Sequence, residues 1–228
     1  MSHNREVRRN FALIAVEGVD GAGKSTLVRG LVAALDAGRN AGGGRGALLA
    51  RPCREMVGVF RTLIETRDDE AVLYQDAIPG DLRHSLYVIE NLLQFRYQGP
   101  LFEQYDAVVF DRWLQTNAVY CGPVEENRAW YARLADAVPR PDVLFWLRVD
   151  PDLAYRRLVE RSDRWTRVYS PRGLRDKLEG LCAGYEREML GAGAIVLDGA
   201  APPEEVLARA TAVLAEHGLP VPALSESP

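Results

Sequence analysis

The 228-residue chain is poor in cysteine and histidine, with three of each. Cys53, Cys121 and Cys182 stand far apart and form no Cys-x-x-Cys pair. A set this sparse and odd in number excludes a disulfide framework and reads as the reduced thiols of a cytoplasmic protein. His3, His84 and His217 are equally scattered, so no zinc-binding spacing exists. No apolar run approaches the roughly 18 residues of a membrane span, which argues against a membrane role. Positive charge is not in excess either: 28 Lys+Arg face 32 Asp+Glu, for a formal net charge of −4. That balance excludes a broad surface for nucleic-acid polymers, but leaves room for a local anion site. The charged start, MSHNREVRRN, runs directly into a motif-bearing strand and is therefore not expected to be a cleaved leader.

What remains is ordinary globular material. With 47% hydrophobic and 26% charged residues, the chain is long and apolar enough for one domain with a sizeable core. Short apolar strands alternate with helical stretches. Strands are expected at Phe11–Val16, Ala47–Ala50, Asp106–Phe110, Asp142–Val149 and Ala194–Leu197. Helices are expected at about 24–37, 55–67, 82–98, 114–121, 126–137, 150–160, 173–190 and 203–217, with a separate short helix starting at Pro100. Gly38–Gly46 reads as a flexible loop and Asp68–Glu70 as solvated surface. This pattern predicts an α/β fold with a mostly parallel sheet, in which ligands gather at the carboxyl ends of strands. A core domain over 11–218 is expected, flanked by a disordered N-terminus (1–10) and a flexible tail (219–228).

The most informative stretch is FALIAVEGVDGAGKST, Phe11–Thr26. An apolar strand leads into Gly18–Ser25, which fits G-x-x-x-x-G-K-[ST], the phosphate-cradling P-loop. Gly18, Gly21 and Gly23 let the backbone approach an anion, and the helix N-terminus favours negative charge there. Lys24 is expected to reach the β- and γ-phosphates of ATP, and Ser25 to ligate Mg²⁺. At the end of a later strand stands Asp111-Arg112. The carboxylate suits a position near Mg²⁺ or an acceptor hydroxyl, and the guanidinium suits an acceptor phosphate. The segment from Arg161 to Arg172 holds Arg161, Arg164, Arg167 and Arg172, and is expected to be a mobile lid over phosphates.

These residues carry a resemblance. EGVDGAGKST, DRWLQTNAVYCG, DPDLAYRRLVERSDR and LDGAAPPEEV are together similar to the thymidylate kinase family of nucleoside monophosphate kinases, from about Phe11 to Glu216. The resemblance implies a three-layer P-loop NTPase fold with a parallel five-stranded sheet flanked by helices. It also implies ATP-dependent phosphorylation of dTMP, with Mg²⁺, and a homodimer. It implies ATP contacts along Gly18, Asp20, Gly21, Ala22, Gly23, Lys24, Ser25 and Thr26. Acceptor contacts are implied for Asp20, Arg51, Arg112, Thr116, Asn117 and Tyr120, the tyrosine disfavouring a ribose 2′-hydroxyl. Asp111 joins Ser25 at the metal. Lys24, Asp111, Arg112 and the lid residues Arg161 and Arg164 form the catalytic set, because Ala22 stands where some members carry a P-loop arginine.

Two departures matter. After Arg51 the family continues with a proline-glycine-glycine turn, whereas this chain has Pro52-Cys53-Arg54-Glu55. On the long helix, the family's base-stacking Phe and base-reading Arg fall at Leu86 and Glu90, with Tyr87 as a substitute ring. An ionised carboxylate only accepts hydrogen bonds, so Glu90 facing the base would favour an exocyclic amino group, as in dCMP or CMP. Alternatively Glu90 pairs with Arg54, Arg83 or another arginine, or Arg83 or Arg96 takes the base-reading place. A nucleoside or sugar kinase would lack two acceptor-phosphate arginines, and a non-catalytic ATP-binding regulator would lack an acceptor pocket; Arg51, Arg112 and the lid disfavour both.

Overall fold

The computed structural model describes residues 9–52, 54–65, 72–122, 132–133 and 135–221. At its centre lies β1 (Ala12–Glu17), with Leu13 to Val16 wholly inaccessible. A strand buried on both faces needs a continuous apolar run, and each such side chain contributes roughly 1.5–3 kcal/mol by leaving water. β2 (Ala47–Ala50), β3 (Ala107–Asp111), β4 (Val143–Arg148) and β5 (Ile195–Asp198) complete a five-stranded parallel sheet in the order β2-β3-β1-β4-β5. Val16 is in register with Asp111 and Glu17 with Trp146. The carboxyl ends of β1 and β3 therefore open side by side, where chain connections diverge to opposite sides of the sheet.

The helices are α1 (Lys24–Gly42), α2 (Arg54–Phe60) with a π-helical turn at Arg61–Glu65, α3 (Tyr74–Ala77), α4 (Gly80–Phe102) and α5 (Leu114–Cys121). They are followed by α6 (Pro151–Glu160), α7 (Arg164–Val168), α8 (Pro171–Leu190) and α9 (Pro203–Glu216). α1 packs on α9, while α4, α5 and α8 pack in series. Phe95 and Phe102 of α4 meet Phe110 of β3 at 5.7 and 5.9 Å, which seats that helix on the sheet. Asp150 and Ser170 cap α6 and α8 through their side chains, and each helix has proline in its first turn.

Three expectations are corrected. α1 does not stop at Ala37 but continues to Gly42, where Gly43 at φ 78° ends it in the left-handed conformation. Gly38, inside the helix, allows the carbonyl of Pro220 to approach so closely that a Cβ would stand 2.1 Å from it. Pro100 does not start a new helix; it lies in the last turn of α4, where a missing N–H costs only one bond before the helix ends. The segment 161–172 is not simply a loop, because it contains α7, capped by Asp163. The helix expected over 126–137 and the acidic run 68–70 fall wholly or mainly outside the described residues. So do most of the N-terminus and tail, although Arg9 bonds to Asp142 and Leu219 and Val221 rest on the core.

Candidate active site

The P-loop follows β1 directly. Gly18, Gly21 and Gly23 have φ of 145°, 88° and 101°. A Cβ on Gly18 would stand 2.7 Å from the Leu147 carbonyl oxygen, and one on Gly21 at the same distance from that of Ala154. Glycine is therefore required by both backbone conformation and contact. Lys24 is buried and donates from Nζ to the Val19 carbonyl at 2.9 Å. Burial and, next, the neighbouring Arg112 charge lower its pKa to about 8. Ala22 is buried, while Ser25 and Thr26 at the start of α1 are exposed. The loop is strapped from outside by Arg157 of α6, whose Nη1 donates to the carbonyls of Gly21 (3.2 Å) and Gly199 (2.8 Å).

Ser25 Oγ donates to Asp111 Oδ2 at 3.1 Å. The other oxygen, Asp111 Oδ1, is buried and has no hydrogen-bond partner among the described residues. An orphaned buried carboxylate oxygen beside a serine hydroxyl is a donor set suited to Mg²⁺, a hard cation that fills its remaining positions with phosphate oxygens and water. The residues present therefore fit the ion.

Next to it, Arg112 has φ 85°, a left-handed conformation that costs a non-glycine residue about 1 kcal/mol or more. That turn sends its guanidinium back to Asp20. Nη2 donates to Asp20 Oδ1 at 2.5 Å, and the group lies 5.2 Å from the centre of the Tyr120 ring. The Tyr120 hydroxyl donates to Asp20 Oδ2 at 2.6 Å and accepts from Asp20 N at 3.2 Å. Burial would raise the Asp20 pKa, but Arg112, Lys24 and the Tyr120 hydroxyl together pull it down to about 2. Behind this cluster sits Glu17, fully buried. It accepts from Trp113 N (2.8 Å), Thr116 N (2.9 Å), the Thr116 hydroxyl (2.5 Å) and the Tyr185 hydroxyl (3.1 Å). Burial raises its pKa, against the opposing effect of those donors and Arg112. Glu17 thus caps α5 from another strand and fixes where Thr116, Asn117 and Tyr120 project.

A cavity of about 1420 Å³ opens in front of these residues. It brings together Asp20, Ser25, Arg51, Leu86, Tyr87, Glu90, Asp111, Arg112, Thr116, Asn117, Tyr120 and Arg164, all singled out from the sequence. The P-loop glycines, Ala22, Lys24 and Thr26 do not line it. Nor does Arg161, which bonds Asp163 through Nε (3.0 Å) and Nη2 (2.7 Å), although its charge contributes to holding Asp20 ionised. Arg54 and Arg61 line the cavity as well.

Glu90 does not pair with an arginine among the described residues. Its two oxygens accept the first amides of α2, Glu55 N at 2.8 Å and Met56 N at 2.9 Å, so it acts as a remote helix cap. The amino-base expectation that rested on this carboxylate loses its support. Arg83 instead enters the cavity, buried, donating to the carbonyls of Ile78 (3.0 Å) and Tyr120 (3.1 Å), whereas Arg96 is exposed and lies off it. Tyr87 is buried beside Tyr74 and Phe60, which stack at 5.7 Å. Glu17 was expected only as one of the strand-end residues, without a role, and Arg157, Trp165 and Tyr185 were not expected as site components. Only Glu17 carried a signal, as an acid closing an otherwise apolar strand.

A glycine-rich P-loop, a serine–carboxylate pair suited to a hard cation and an arginine-bearing cavity at adjacent strand ends are features of the P-loop nucleotide kinase class. The thymidylate kinase family model matches residues 16–209. Over 167 residues the chain is 34% identical to a thymidylate kinase of Mycobacterium tuberculosis (strain CDC 1551 / Oshkosh), covering 67% of this chain and 72% of that one. It is 29% identical over 215 residues to a thymidylate kinase of Xanthomonas oryzae pv. oryzae (strain PXO99A), covering 92% and 85%. The chain belongs to the thymidylate kinase family.

Proposed function

We propose that this protein transfers the γ-phosphoryl group of ATP to dTMP. An acceptor phosphate oxygen forms a bond to the γ-phosphorus as the bond to the β–γ bridging oxygen breaks, giving dTDP and ADP. The observation that carries this reading is the juxtaposition of the P-loop and Ser25–Asp111 pair with the Arg112–Asp20–Tyr120 cluster across one cavity. The reaction needs alignment and charge neutralisation more than covalent chemistry from the protein. Ser25 and Asp111 would hold Mg²⁺, which neutralises phosphate charge when bound. Lys24 serves the ATP phosphates. Arg112 and Arg51 take the acceptor phosphate, with Arg54 as a further donor in place of the shortened turn. Of the lid arginines, Arg164 lines the cavity and Arg161 does not, which supports Arg164 as the one that meets the transferring group. Arg83 supports a base with carbonyl acceptors, in keeping with thymine. Tyr120, fixed by Asp20, crowds the sugar.

The exposed stripe Leu82, Ile89, Leu93 and Tyr97 along α4 supports a homodimer, and the free thiols of Cys121 and Cys182 are in keeping with a cytoplasmic setting. Among the described residues no helix is long and apolar enough to cross a membrane. Initial rates with Mg-ATP and each of dTMP, dUMP, dCMP, CMP and dAMP test the acceptor assignment. The highest kcat/KM is expected for dTMP, and a preference for dCMP would overturn it.

A further inference from the structure

Away from the P-loop, side chains from three separate elements meet. Lys177 of α8 donates from Nζ to Asp76 Oδ1 of α3 at 2.9 Å and to the Tyr169 hydroxyl at 2.6 Å. Tyr169, which directly follows α7, donates its hydroxyl to Asp76 Oδ2. The Lys177 ammonium also lies 4.6 Å from the centre of the Tyr169 ring and 5.4 Å from that of Trp165. An exposed lysine–carboxylate pair alone does little, because both side chains stay mobile in water. Here the cation is seated on two rings, and the carboxylate is engaged through both oxygens, so all three groups are held in one geometry.

The elements joined in this way both contribute to the lining of the acceptor cavity. α3 carries Tyr74, which lines the cavity and stacks on Phe60. α7 carries Arg164 and Trp165, which line it as well. Trp165 lies 6.3 Å from Tyr120, whose hydroxyl holds Asp20. Asp76 and Tyr169 are 93 positions apart in sequence.

We propose that Lys177 is a positioning residue that couples the α3 wall to the α7 lid. Seating a nucleotide against Tyr74 and closing α7 over its phosphate then become one event. This rests on the reading of the cavity as an acceptor site. Lys177 does not line the cavity; it acts through Asp76 and Tyr169.

Two measurements on the full chain test the coupling. In amide hydrogen exchange of the ligand-free protein, Lys177→Met raises exchange in 74–77 and 164–169 together by about fivefold or more, and Lys177→Arg restores protection. In steady state, Lys177→Met and Asp76→Asn each raise the acceptor KM by about five- to tenfold with the ATP KM unchanged, and the double variant is no worse than the poorer single one. Loosening of only one segment, a parallel rise in both KM values, or additive effects in the double variant would each overturn the coupling. The exchange measurement needs no substrate. Failure of wild-type protein to phosphorylate dTMP would therefore count against the proposed function alone and leave the coupling to be decided by exchange.

Discussion

Ser25 Oγ lies 3.1 Å from Asp111 Oδ2, joining the first turn of α1 to the end of β3, while the second oxygen of that carboxylate is buried and unbonded. The helix that follows β1 and the end of the adjacent β3, 86 positions apart in sequence, thus bring two oxygens suited to a hard cation to one point. Asp111→Asn replaces one oxygen by an amide donor that repels a cation. Turnover is expected to fall by roughly 100-fold, with a higher Mg²⁺ concentration needed for half-maximal rate. A Mg²⁺ titration of initial rates checks both effects.

Arg112→Ala removes the partner of Asp20 and a donor proposed for the acceptor phosphate. The acceptor KM is expected to rise by at least about tenfold, equivalent to roughly 1.4 kcal/mol or more, while ATP binding measured by calorimetry persists. Unchanged steady-state constants would remove Arg112 from the acceptor site.

Lys24 titrates near pH 8 in the free protein, below its ordinary 10.5, because burial and then Arg112 disfavour its charge. A bound triphosphate adds negative charge beside it and moves the pKa back up. Between about pH 8 and 10.5 the free protein therefore holds fewer protons than its ATP complex. Calorimetry at pH 8.5 in buffers of different ionisation enthalpy is expected to reveal proton uptake on ATP binding, lost in Lys24→Met.

Glu90→Ala leaves the first amides of α2 without their acceptors and is expected to cost about 1 kcal/mol of stability in denaturant unfolding. Glu90→Gln keeps an acceptor oxygen and costs less. Neither variant is expected to change the ratio of dTMP to dCMP turnover. A shift of that ratio toward dTMP in Glu90→Gln would restore Glu90 to the base.

The strands and the P-loop were legible because their signals are local: apolar runs of four to six residues, and glycines at fixed spacing. Asp111 and Arg112 were singled out because they close a strand, and Tyr120, on α5, only through the family resemblance. What the sequence concealed is long-range. Glu90 aligned with a base-reading position, but its neighbours are the amides of α2, and nothing in the helical spacing of α4 specifies where α2 begins. A local detail also escaped: Arg161 bonds Asp163, two residues on, which the arginine-rich spacing did not specify. Arg157 and Tyr185 act through a carbonyl and a buried carboxylate brought close only by the fold. Helix ends were misjudged where proline or glycine fell in a last turn, because those residues terminate helices by context rather than by presence.

The proposed reaction passes the γ-phosphoryl group of ATP to dTMP. Incubation of the purified protein with Mg²⁺, γ-labelled ATP and dTMP, followed by chromatographic separation of nucleotides, tests it most directly. Label appearing in dTDP in equal amount to the ADP formed, and absent with Lys24→Met, is the predicted result. Label released only as inorganic phosphate, at a rate indifferent to dTMP, would contradict it.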